Sequence, residues 1–137
     1  MQCHLITHKR VPMEEKRSVI TMDGQGNIAL PSDIGSIAMS EWELCELFGV
    51  IAPTLRAAIR AVYKSGVLKE YDTKRHLHLS DGCSLDVYSL DMVVALAFRI
   101  DSFGASKVRS VLLAKIMYWR KEKTYLFTLP LGSEWHC

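Results

Sequence analysis

Apolar and polar positions along the chain change period several times, and each change marks an element. Met1 to Arg17 shows neither a two-residue nor a 3.6-residue period and reads as a flexible N-terminal segment. Ser18-Val-Ile-Thr-Met22 is β-branched and apolar, Asp23-Gly24-Gln25-Gly26-Asn27 is turn chemistry, and Ile28-Ala-Leu30 is apolar again. Residues 18–30 therefore predict a β-hairpin, closed by Pro31-Ser32-Asp33. A loop through Gly35 leads to Ser40, where a helical period begins. Trp42, Leu44 with Cys45, and Phe48 recur at three- and four-residue intervals, while Glu41, Glu43 and Glu46 take the other face. Ser40 and Glu43 stand at capping-box spacing, and Gly49 follows as a left-handed stop.

A second helix is predicted to start near Ala52, with Pro53 in its first turn and an apolar stripe of Leu55, Ala58, Ile59 and Val62. Ser65-Gly66 stops it, and Val67-Leu68 returns to the core. Residues 71–88 predict a second hairpin: Leu77 and Leu79 alternate with His76 and His78, Leu85 and Val87 alternate on the return, and Ser80-Asp81-Gly82-Cys83 turns the chain. Ser89 is placed to cap a short, almost wholly apolar helix over residues 90–100, which must be buried. Gly104 separates it from a longer helix over about 105–123. There Val108, Val111, Leu112, Ile116 and Trp119 run at helical spacing as a core stripe or, in the other reading, a homodimer seam. Lys107, Arg109, Lys115, Arg120, Lys121 and Lys123 are expected in solvent. Residues 124–130 suggest a last strand or an extended tail.

The length of 137 residues suits one domain. The division expected is a flexible segment 1–17, a folded unit 18–123 and a tail 124–137. With 49% hydrophobic and 23% charged residues the chain can bury a core, which disordered chains cannot. No apolar run reaches the roughly 18 residues of a membrane span, and residues 1–17 lack the apolar core of a secretory signal. A cytoplasmic protein with reduced thiols is the expectation for its four scattered cysteines. His76-x-His78 followed by Cys83 is a weak metal candidate, because residues two apart share a strand face. Two exposed histidines explain the spacing better, and neither a metal nor another cofactor is expected.

Charge is unevenly spread. Residues 1–52 carry a net −3 and residues 53–123 a net +6, an asymmetry compatible with a nucleic-acid footprint or with ordinary solvated surface. Patterns for the common hydrolase, nucleotide-binding and metalloprotease sites do not occur, so an enzyme is not expected. Asp23-Gly24-Gln25-Gly26 lacks the helix and lysine of a phosphate loop and reads as a hairpin turn.

The stretch from Glu41 to Gly66 carries the functional expectation. Two helices around a three-residue turn, with small Cys45 four residues before Gly49 and apolar Val50 after it, fit a DNA-binding helix-turn-helix as well as an ordinary helical corner. Docked in a major groove, the second helix would present Pro53, Arg56, Ala57 and Arg60 to base edges and their flanks, with Thr54 and Lys64 on phosphates. In a winged variant the following hairpin adds Lys74, Arg75 and His76, with Lys69 beside them. One departure is the apolar turn exit, Ile51-Ala52-Pro53, where a hydroxyl or amide cap would serve a phosphate better. An apolar patch there suits a protein partner.

Trp42, Glu46-Leu47-Phe48-Gly49-Val50, Ile59-Arg60, Gly66, Leu68, Tyr88-Ser89-Leu90-Asp91, Phe98-Arg99 and Arg109 resemble, in order and spacing, the N-terminal region of RhuM-type virulence-associated proteins. The resemblance spans about residues 18–120. It implies a winged-helix-like nucleic-acid-binding module of bacterial regulatory or mobile-element contexts; Cys45 replaces an expected alanine. Larger members continue past the point where this chain ends, so the activity of their downstream domains is not carried over. The overall expectation is an α+β fold with a winged helix-turn-helix-like core, two β-hairpins and additional C-terminal helices. It would bind double-stranded DNA as a small transcriptional regulator. The other reading is a protein–protein interaction module on the same scaffold.

Overall fold

The computed structural model describes the backbone of residues 17–131 and the side chains of residues 17–118. In order the elements are β1 (Thr21–Met22), β2 (Ile28–Ala29), a 3-10 turn (Ile34–Ser36), β3 (Ala38–Ser40), α1 (Glu41–Phe48), α2 (Ala52–Ser65), α3 (Glu70–Thr73), β4 (Lys74–His78), β5 (Ser84–Ser89), α4 (Leu90–Ala97) and α5 (Phe103–Leu131). The architecture is α+β, with two small antiparallel sheets.

The first hairpin forms where the turn chemistry predicts it, pairing Thr21 with Ala29 and Met22 with Ile28. Asp23 closes it by accepting hydrogen bonds from Asn27 Nδ2 and from the backbone N–H groups of Asn27 and Gln25 at 2.8–2.9 Å. These donors, the Asn27 amide foremost, hold the Asp23 carboxyl below the usual aspartate range. At Gly26, φ is +89°, and a Cβ there would meet the Phe103 ring at 3.1 Å, so the hairpin rests on the first turn of α5.

The second sheet has the order β3-β5-β4, with α1 and α2 inserted between β3 and the edge strand β4. Met39 opposes Tyr88 in one pair, while Arg75 opposes Val87 and His76 opposes Asp86 in the other. Strand β3 differs from the expected loop. It is three residues long, too short to show a period, and exists because β5 pairs with it. Residues 70–73 are a helical turn rather than the start of the hairpin, with the Thr73 hydroxyl donating to Lys69 O at 3.0 Å.

Helix α1 opens with the expected capping box: Ser40 Oγ accepts from the Glu43 N–H, and Glu43 Oε1 accepts from the Ser40 N–H at 2.8 Å. The same carboxylate receives the guanidinium of Arg17 at 2.8 and 3.0 Å, and Arg17 Nη1 also donates to Ala38 O at 2.7 Å. Arg17, 5% exposed, is thus a buried anchor and not part of a flexible lead-in. Leu44, Leu47 and Phe48 are buried, whereas Trp42 stands at the boundary with solvent.

The principal core gathers Ile20, Met39, Leu44, Phe48, Leu55, Ile59, Met92, Val93, Leu96 and Val108 between the helices and the sheet. Helix α4 buries Met92, Val93, Leu96 and Ala97 as predicted. Arg109, expected in solvent, reaches back to end it, donating from Nη1 to Ala97 O at 2.7 Å and Ile100 O at 3.0 Å. Helices α4 and α5 are separate as expected, but residues 98–102 and not Gly104 divide them. Gly104 lies inside α5, where a Cβ would come within 2.2 Å of Leu47 O and 2.9 Å of Phe48 Cα. The absent side chain lets α1 and α5 touch backbone to backbone.

Four further expectations change. Val67 is exposed, and only Leu68 of that pair packs on the core. The stripe of α5 is a core face only as far as Leu112: Val108 is buried, Val111 and Leu112 are half-buried, and Ile116 is 54% exposed. Residues 113–118 are exposed, so apolar spacing no longer means burial there; the side chains of Trp119, Arg120, Lys121 and Lys123 lie outside the described residues. Residues 124–131 are helical, not strand or extended tail, because they continue a helix already formed. Cys45 is free, whereas Cys83 is disulfide-bonded, in contrast to the reduced thiols expected.

Candidate nucleic-acid interface

The sequence of α2 divides its surface. Leu55, Ile59 and Val62 recur at helical spacing and are buried, so Pro53, Thr54, Arg56, Ala57, Arg60 and Lys64 are left in solvent. The connection before it is three residues long, Gly49, Val50 and Ile51. Gly49 takes a left-handed conformation, φ +68°, and its N–H donates to Cys45 O at 2.8 Å; Val50 packs on the core beneath. Ser102 pins this corner from the other side. Its Oγ donates to Phe48 O at 2.7 Å and accepts from the Ala105 N–H at 3.1 Å, joining the end of α1 to the start of α5.

At the start of α2 the N-cap is Ile51, which makes no side-chain cap and is 69% exposed. The apolar turn exit expected from the sequence is therefore present on the surface. Cys45, half-buried at the α1 side of the corner, has its thiol pushed up by burial and secondarily by the Glu41 carboxylate.

The six basic candidates fall into two groups. Arg56 is engaged: Nε donates to both Glu41 oxygens at 3.1 and 3.0 Å, and Nη2 donates to Oε1 at 2.7 Å. These bonds hold Arg56 protonated more firmly than an unpaired arginine. Lys74 bonds Glu70 Oε2 at 3.0 Å and lies 3.6 Å from Asp86, and the Glu70 hydrogen bond is the main reason its amine is held above the usual lysine range. His76 Nδ1 is in direct contact with the same Asp86 carboxylate. The side chains of Arg60, Lys64 and Arg75 carry no hydrogen bond or ion pair among the described residues.

Position separates them again. Arg60 and Lys64 stand one turn apart on the exposed face of α2. Lys74 and His76 share one face of β4, and Arg75 points to the other by strand alternation. The hairpin's cations are thus not brought together. Tyr63 and Thr73, whose hydroxyls lie 2.9 Å apart, tie the second half of α2 to the segment that leads into β4. His76 and His78 share a face as their spacing requires, but Cys83 carries a disulfide, so the weak metal candidate loses its thiolate.

Three carboxylates were not singled out from the sequence as partners. Asp86 was legible in principle, because counting back from the turn sets it opposite His76. Glu70 lies four residues before Lys74, a recognisable helical pair. Glu41 meets Arg56 across two helices, and no spacing rule reports that contact. Among the described residues no helix is long and apolar enough to cross a membrane. Compared with family models, curated proteins and solved structures, the chain matches none.

Proposed function

We propose that residues 18–123 form a winged helix-turn-helix-like module that binds double-stranded DNA through the exposed face of α2, as a small transcriptional regulator. It acts by binding, without a catalytic step or cofactor. The observation that carries the reading is the composition of that face: Arg60 and Lys64, one turn apart and unpaired among the described residues, beside small Thr54 and Ala57. Small residues ahead of the cations let the start of a helix approach a groove floor while the cations reach base edges and phosphates. The order β3-β5-β4, with α1 and α2 ahead of the β4–β5 hairpin, supports the winged description. A homodimer through residues 105–123 would cover the exposed Leu113, Ile116, Met117 and Tyr118, and two-fold pairing suits half-site binding.

A protein-interaction module is the second reading. Ile51, 69% exposed at the turn exit, favours it, as do the carboxylates that hold Arg56, Lys74 and His76. The double replacement of Arg56 and Arg60 by alanine tests the first. Both side chains project from the helix, so thermal unfolding stays nearly unchanged while duplex binding in an electrophoretic shift assay disappears. Undiminished binding by the double variant would show that α2 is not the reading helix.

A further inference from the structure

We propose that Glu41 is a positioning residue of the DNA-reading surface, holding the Arg56 guanidinium side-on so that its free end-on edge reads guanine. This rests on the reading of α2 as the DNA-contacting helix. A guanidinium carries five N–H donors in one plane, along two usable edges. Glu41 occupies the edge formed by Nε and Nη2, with contacts of 3.1, 3.0 and 2.7 Å. The edge formed by Nη1 and the second Nη2 hydrogen has no partner among the described residues. Two parallel N–H donors on that edge are the set that matches guanine O6 and N7.

The backbone that carries each member of the pair is fixed, while the pair itself is partly exposed. Glu41 is the first residue of α1, directly after the capping Ser40 and three residues before buried Leu44. Arg56 follows buried Leu55 in α2. The two helices are set by the Gly49–Ile51 connection and by Ser102 on Phe48 O. An unpaired arginine on a helix surface spreads over many rotamers, and fixing one costs binding energy; a carboxylate already in place removes that loss. Pairing also cancels the charge of Arg56, so its attraction to phosphates in general is weak while its directed donors remain. The general attraction then falls to Arg60 and Lys64.

The test is selection from a random duplex pool by the full chain and by Glu41→Gln, Glu41→Ala and Arg56→Lys, each with its urea unfolding curve and its affinity for unselected duplex. Wild type is expected to enrich guanine at one position. Both Glu41 variants are expected to bind unselected duplex several-fold more tightly, because a negative charge is gone, and to lose roughly 10-fold or more of the guanine preference. Arg56→Lys should lose the preference without that gain. Glu41 variants that keep the wild-type preference, or a wild type that binds duplex with no guanine preference, overturn the inference alone. A wild type that retains no duplex overturns it together with the DNA-binding reading.

Discussion

Arg17 brings a full positive charge into the interior and is matched there by Glu43, with Ala38 O taking a third hydrogen bond. Removing one member of such a pair leaves the other charge buried and uncompensated. Arg17→Ala is therefore expected to lower unfolding free energy by about 3–5 kcal/mol, measured by urea denaturation. A loss within about 0.5 kcal/mol would mean that solvent reaches the Glu43 carboxylate. What the sequence allowed at this scale depended on separation along the chain. Ser40 with Glu43, and Gly49 at the helix end, act within one turn and were readable. Arg17 with Glu43 and Glu41 with Arg56 join residues 26 and 15 apart, and nothing local announces either pair.

Elements were legible where a period ran long enough to exclude its rival. Helices α1 and α2 and the β4–β5 hairpin were of this kind, since their apolar positions recur with flanking caps or turn residues. Strand β3 was not, because a three-residue strand is defined by its partner. Gly104 misled for an instructive reason: a glycine that ends a helix and one that admits a second backbone look alike in sequence. Its role predicts the outcome of Gly104→Ala. A Cβ 2.2 Å from Leu47 O forces α1 and α5 apart. The expected loss is at least the upper part of the ~1–3 kcal/mol typical of overpacking. Because the displaced residues adjoin the Gly49 turn, amide exchange should rise at residues 47–51. A variant with wild-type stability and unchanged exchange there would disprove the close contact.

For the molecule as a whole, the α+β class and the exposure of the α2 face followed from pattern alone, whereas the electrostatics did not. The sequence placed 13 Lys and Arg and 7 Asp and Glu on residues 53–123, a net +6, and folding sets Arg56, Lys74 and His76 against Glu41, Glu70 and Asp86. Of the six basic candidates on α2 and the hairpin, Arg60, Lys64 and Arg75 are left without side-chain partners among the described residues, and any polyanion binding by that surface rests chiefly on them. Duplex affinity should accordingly be modest and strongly dependent on salt, because neutralising phosphates releases counterions. A protein partner seated on Ile51 would show little such dependence. The direct measurement is fluorescence anisotropy of a short labelled duplex titrated with the full chain over a series of salt concentrations. A linear fall of log affinity with log salt concentration, shallower by about one for Arg60→Ala, is the predicted result. Affinity that does not change with salt, or no binding at the lowest salt, would contradict it.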